Sequence, residues 1–176
     1  MAQVKIVTDS NAHFLDPEVI EALGIEVVHL PVRIGQQTYL ERINTLDEQF
    51  LRRMDQEYGS MSVGAPTAGQ MRALFSRLGQ DTDSIVCIHM SSALNDVAEV
   101  ARQAAENFMG RQRIVVLDTA TTSVGVGLIA EAAARCAASG SPLAEVVRVV
   151  RGLMPHMYSV MFSDSLDYLE SWGRLG

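Results

Sequence analysis

Residues 85–92 read Ile85-Val86-Cys87-Ile88-His89-Met90-Ser91-Ser92. A short, mostly apolar, β-like run ends there in a pair of hydroxyls, and a helix-like pattern follows over residues 93–109. The arrangement recurs along the chain. Residues 4–7 run into Thr8-Asp9-Ser10, residues 114–117 into Asp118-Thr119, and residues 158–162 into Ser163-Asp164-Ser165. Strands that alternate with helices imply a mostly parallel central sheet covered on both faces. The expected fold is therefore α/β, a three-layer sandwich. In such a sheet all four polar clusters lie along one carboxyl edge, where open α/β sheets bind ligands.

The rest of the chain fits around this frame. A helix over residues 17–23 starts at Asp16-Pro17 and stops at Gly24, and residues 25–30 read as a further strand ended by Pro31. Residues 32–34 and 38–40 flank Gly35-Gln36-Gln37 as an edge hairpin. Thr45 and Glu48 have capping-box spacing. Residues 59–69 hold too many breakers for one helix and too little bulk for a strand, so a loop is expected there. Thr67 can cap a helix running through Met71, Leu74, Phe75 and Leu78. Helices are expected over residues 123–138, from Pro142 to about 154, and over 166–172.

Composition sets limits. The chain has 176 residues, 48% hydrophobic and 20% charged, with a formal net charge of −7. That length suits one domain with a real core, or one domain and a fragment of a second. The acidity, with no face gathering Lys and Arg, argues against a nucleic-acid partner. No apolar run approaches the roughly 20 residues of a membrane helix. The chain opens straight into a strand, which argues against a secretory leader and for the cytoplasm. Cys87 and Cys136 read as free thiols, since no spaced pair suggests a metal or redox site.

At the sheet edge, Ser91 and Ser92 precede a helix start and can hydrogen-bond a carboxylate or phosphate, or one can simply cap the helix. Asp9 and Asp118 occupy equivalent strand ends. Paired carboxylates can work as acid and base or hold a hard cation. Here further metal ligands are missing, and hydrogen bonds to loop amides are the expected role. His13, His29, His89 and His156 form no metal pair and no Ser-His-Asp order, so structural roles are expected. Val124-Gly125-Val126-Gly127-Leu128 lacks the third glycine of a dinucleotide fingerprint. Its glycines should allow close approach to the sheet, or leave room for something slender.

Several motifs together resemble the first domain of the DegV family of bacterial lipid-binding proteins. They are Lys5-Ile6-Val7-Thr8-Asp9-Ser10, residues 25–32 with Leu30-Pro31, Pro66, Ser91-Ser92-Ala93-Leu94, Val116-Leu117-Asp118-Thr119, Gly125-Val126-Gly127-Leu128 and the closing Asp167 to Arg174. The resemblance implies a domain like the first domain of dihydroxyacetone kinases over residues 1–165. Residues 166–176 would begin a second-domain segment that is truncated or absent.

It also implies a long-chain fatty acid, with no cofactor, no metal and no catalysis by the chain itself. The acid's carboxylate would be held at Ser62, Thr67, Ser91 and Ser92, and Thr8, Asp9, Ser10, Asp118 and Thr119 would line the same cleft. A fatty acid kinase is the implied partner. The sequence departs from the family at Val63-Gly64-Ala65, in place of its threonine- and serine-containing loop, and at Asn95-Asp96-Val97-Ala98. The alternative function is an interaction module that keeps the fold without the ligand. Leu169, Trp172 and Leu175 should form an apolar surface that favours a homo-oligomer.

Overall fold

A computed structural model describes residues 3–40, 52, 61–160 and 162. Four parallel strands form the central sheet in the order β2 (Glu26–Val28), β1 (Lys5–Asp9), β6 (Ser84–His89), β7 (Arg113–Asp118). A second, antiparallel sheet has the order β4 (Gln37–Leu40), β3 (Pro31–Ile34), β5 (Met61–Val63). The hairpin between β3 and β4 turns on Gly35-Gln36, and Gly35 at φ +58° supplies the left-handed position the tight turn needs.

Alternation along each parallel strand divides the core in two. Ile6, Val86 and Ile88 face α1 (Glu18–Ala22), α4 (Val124–Ala138) and α5 (Leu143–Leu153). Val7, Ile85 and Cys87 face α2 (Ala68–Leu78) and α3 (Val97–Ala105). On that second side Phe75 meets Phe108 edge-on, with ring centroids 5.9 Å apart. The three-layer α/β sandwich expected from the alternation is the fold observed.

Three local expectations need correction. The breaker-rich loop contains a strand after all, because Met61–Val63 pairs through its backbone with β3 and needs no bulk to do so. The helix after Ser92 begins at Val97 rather than Ala93. Ser91 and Asn95 take the intervening amides into a turn: Ala93 N–H donates to Ser91 Oγ at 3.3 Å and Val97 N–H to Asn95 Oδ1 at 2.9 Å. Residues 158–160 pair with no strand among the described residues. Ser159 Oγ instead lies 2.9 Å from Thr121 Oγ1, beyond the carboxyl end of β7, and Tyr158, Val160 and Phe162 are exposed. Period-2 alternation signals an extended chain but does not supply a partner. The expected elements at residues 45–48 and 166–172, the boundary at 165–166, and Leu169, Trp172 and Leu175 lie outside the described residues.

The glycines of α4 do make a close approach, to a loop rather than to the sheet. A Cβ on Gly127 would stand 2.1 Å from the His13 carbonyl oxygen, and one on Gly125 2.6 Å from Thr121 Oγ1. No slender space remains there. Gly127→Ala should therefore destabilise the protein by about 1–3 kcal/mol through overpacking, although helix propensity alone favours alanine by about 1 kcal/mol. Urea denaturation of the variant checks the sign, and a gain in stability would contradict the packing.

Candidate functional site

The polar strand ends converge on one stretch of backbone, residues 88–92. From β1, Thr8 Oγ1 donates to the Ile88 carbonyl at 2.9 Å. Asp9 Oδ2 accepts from Met90 N–H at 3.0 Å and lies 3.0 Å from His89 Nδ1, while its Oδ1 accepts from Asn11 N–H at 3.1 Å. From the far side, Thr119 Oγ1 and N–H both donate to the His89 carbonyl, at 2.9 and 3.0 Å. Ser91 N–H reaches the Thr121 carbonyl at 2.8 Å. Asp118 Oδ2 accepts from Ser92 N–H at 3.2 Å, and its Oδ1 from Ala120 N–H at 2.9 Å.

Burial sorts these groups. Thr8, Asp9, Ser10, His89 and Thr119 are buried; Asp118 and Ser91 are half-buried; Ser62, Thr67 and Ser92 are exposed. The buried ones do structural work, and Ser10 Oγ likewise accepts from Leu30 N–H at 2.9 Å. The Asp9 carboxylate thus has two backbone amides and the His89 ring gathered around it. Desolvation pushes the Asp118 carboxyl up, but hydrogen bonds from the Ser92 hydroxyl and the Ala120 and Ser92 amides, with the charge of Arg102, hold it below the usual range.

The exposed hydroxyls differ in what they can still offer. The Ser92 hydroxyl is turned to Asp118. Ser91 Oγ accepts from Ala93 N–H, and its own hydrogen meets no acceptor among the described residues. Among the described residues, Ser91 therefore keeps a free donor. Thr67 closes a capping box: its Oγ1 accepts from Gln70 N–H at 3.2 Å and donates to Gln70 Oε1 at 2.9 Å. Its hydroxyl is committed to the start of α2.

Asn95 brings the loop and the strand end together. Its Nδ2 donates to the Val63 and Gly64 carbonyls at 3.3 and 3.2 Å. Residues 62–64 and 91–95 thus sit on the same side of the molecule, and Val63 and Leu94 are exposed.

The loop after β7 is also held in place by an asparagine. Asn11 Oδ1 accepts from Thr122 Oγ1 at 2.8 Å and Ser123 N–H at 2.9 Å, beside two non-glycine residues of positive φ, Ala120 at +52° and Ser123 at +55°. Sequence reading missed both asparagines and the Asp9–His89 bond. The bond follows from the register, since Asp9 and His89 fall one residue beyond the in-register pair Thr8 and Ile88, and that register is not written in the sequence. Among the described residues no cluster of three or more His, Cys, Asp or Glu could hold a metal ion. Burial pushes the Cys87 thiol up, leaving it a core side chain.

A family model described as an uncharacterised protein family, DegV, matches residues 3–176. The chain belongs to the DegV family. A DegV domain-containing protein of Streptococcus pneumoniae is 28% identical over 176 residues, covering 100% of this chain and 62% of the relative. The fold matches a DegV family protein from Thermus thermophilus, studied for fatty acid binding, with TM-score 0.86 and 24% identity over 99% of this chain and 61% of that one. A DegV family protein from Ruminococcus gnavus, solved with vaccenic acid, matches with TM-score 0.81 and 22% identity, over 99% and 63% of the two chains. This DegV chain thus spans about three fifths of the length of the curated relatives it matches.

Two outcomes test this architecture. Asp9→Ala leaves three donors without an acceptor, at about 1–3 kcal/mol each if unpaired, and should lower the melting temperature more than any other single change at the edge. Asp118 has a folded pKa below its unfolded value of about 3.9. Its contribution is full above that value and is lost as pH falls through the lower folded pKa. The stability gap between wild type and Asp118→Asn should be constant near neutrality and close in acid; a gap that widens in acid would contradict the assignment.

Proposed function

We propose that this chain binds a long-chain fatty acid, or a similar amphiphile, by its carboxylate at the carboxyl edge of the sheet. The observation that carries this is the Ser91 hydroxyl, a free donor on a backbone clamped from both sides. Ser62 is exposed on the strand whose end Asn95 ties to this edge, and the exposed Val63 and Leu94 add apolar surface near the tie. Ser92 and Thr67 act more indirectly in this reading, by orienting Asp118 and α2. The names of the Thermus thermophilus and Ruminococcus gnavus proteins support the choice of ligand. Burying each methylene of the tail contributes about 0.8 kcal/mol, so a long chain can offset a sparse head-group site.

The role is binding rather than catalysis, with no nucleic acid, cofactor or metal required. No described helix is long and apolar enough to cross a membrane, and the cytoplasm is the proposed compartment. Presentation of the carboxylate to a kinase belongs to the same proposal. So does a homo-oligomer, which the exposed Tyr158, Val160 and Phe162 favour by presenting alternate apolar side chains to solvent. The interaction-module alternative is the weaker reading, because a chain that had lost its ligand need not keep a free hydroxyl on so rigid an edge.

Native mass spectrometry of gently purified protein should reveal a co-purified acyl chain, and palmitate should raise the melting temperature. Ser91→Ala should weaken palmitate by about 1.5–3 kcal/mol, the value of a hydrogen bond to a charged group, while lowering the apo stability by about 0.5–2 kcal/mol through loss of the Ala93 contact. No acyl chain together with no thermal shift would turn the reading to the interaction module.

A further inference from the structure

β7 is an outermost strand of the parallel sheet: among the described residues it pairs with β6 and with no other strand. Arg113 N–H donates to the Asp83 carbonyl at 2.6 Å, and Thr119 N–H to the His89 carbonyl at 3.0 Å. Backbone groups alternate between the two sides of a strand, so residues 113, 115, 117 and 119 bond to β6. Ile114, Val116 and Asp118 turn their amides and carbonyls outward. Such an edge is a template for another strand, and proteins ordinarily guard it with a charge, a proline or a bulge. β7 contains no proline. Its one cation, Arg113, is bonded to Asp83 and Ser84 beside β6, and Ile114, Val115 and Val116 are only half-buried.

A groove of about 220 Å³ lies beside this edge, and its lining includes Arg102, Ala105, Glu106, Met109, Ile114 and Val116. Met109 is 78% exposed, a flexible apolar knob next to the hollow. Arg102 in α3 and Glu106 in the turn that continues it are four residues apart, about one turn of helix. Knob, hollow, cation and anion therefore share one strip with the outward amides and carbonyls. A half-turn lays such a strip on itself with Arg102 opposite Glu106, Met109 opposite the groove, and donors opposite acceptors. An isologous contact between two copies requires this self-complementarity.

We propose that β7 pairs antiparallel with β7 of a second copy across a twofold axis. The two four-stranded sheets join into one continuous sheet, and Met109 of each copy enters the groove of the other. This rests on the homo-oligomer part of the reading above and not on the ligand. It moves the contact from Tyr158, Val160 and Phe162 to the side of the sheet.

The test uses the intact chain. Sedimentation velocity should show a dimer that dissociates on dilution. Hydrogen exchange read by NMR should show the Ile114 and Val116 amides protected only as the dimer fills, whereas those of Val115 and Leu117 are protected at every concentration. Met109→Glu, at an exposed position, sets a carboxylate against Glu106 of the other copy and should weaken the dimer roughly tenfold or more. Glu106→Arg should weaken it as well, and Arg102→Glu combined with Glu106→Arg in one chain should restore it. Val116→Pro removes an outward N–H that β6 does not use, a change edge strands tolerate, and should yield monomer. If it fails to fold, Met109→Glu and the exchange pattern still decide. A dimer untouched by Met109→Glu but lost in Tyr158→Ser or Phe162→Ser overturns this inference and leaves the homo-oligomer standing. Ile114 and Val116 amides protected in a monomer overturn it too, since the chain then covers its own edge. A monomer at every concentration, with those amides unprotected, overturns both.

Discussion

The carboxylate of Asp9 is the constraint on which the edge of this sheet depends. A charged group buried this deeply survives only with its oxygens satisfied, and the three donors that satisfy it come from two segments. Asn11 belongs to its own loop, whereas His89 and Met90 belong to the neighbouring strand. The burial cost is thus offset only when β1 and β6 are paired in register. Thr8 on one flank, and Thr119 and Asp118 on the other, extend the same arrangement, so that the end of β6 is gripped by both neighbours before any ligand is present. A backbone held there would place the Ser91 hydroxyl for the proposed ligand without a further entropic cost on binding.

The architecture was legible because it depends on periodicity. The β6 run, the polar strand ends and the helices that follow them are each local signals, and the DegV likeness ordered them along the whole chain. Thr67 was recognised as a cap because its partner lies three residues away. What escaped reading depended on non-local pairing. Met61–Val63 is a strand only because β3 lies beside it, and residues 158–160, with a better strand pattern, pair with no strand among the described residues. Asn11 and Asn95 look like ordinary loop residues until the fold brings residues 122–123 and 63–64 to their amides. His89 looked like one polar residue on an apolar strand. Its importance appears only when Asp9 is known to lie across from it.

The glycines of α4 show the same division between chemistry and context. Their sequence suggests close approach to the sheet or room for something slender, and the fold gives the close approach, to a loop instead of the sheet. The space is filled by the His13 backbone, so the loop after β1 is seated directly on the first turns of α4. That seat brings Asn11 within reach of Ser123 and helps hold two residues of positive φ, a conformation costing roughly 1–2 kcal/mol for a residue with a side chain.

The row Asp9, His89, Asp118 also works as a vernier on the sheet. All three lie at one level and point to one side. Sliding β6 by a single residue would turn each of its side chains to the opposite face. His89 would leave Asp9, and Ile88 or Met90 would meet a buried carboxylate with nothing to donate. Apolar strands rich in Val and Ile pair almost equally well in several alignments, and here a misaligned sheet carries an unpaired charge. The polar edge thus selects one alignment among several that the apolar strands would otherwise tolerate, and the fixed backbone beneath Ser91 is a by-product of that selection.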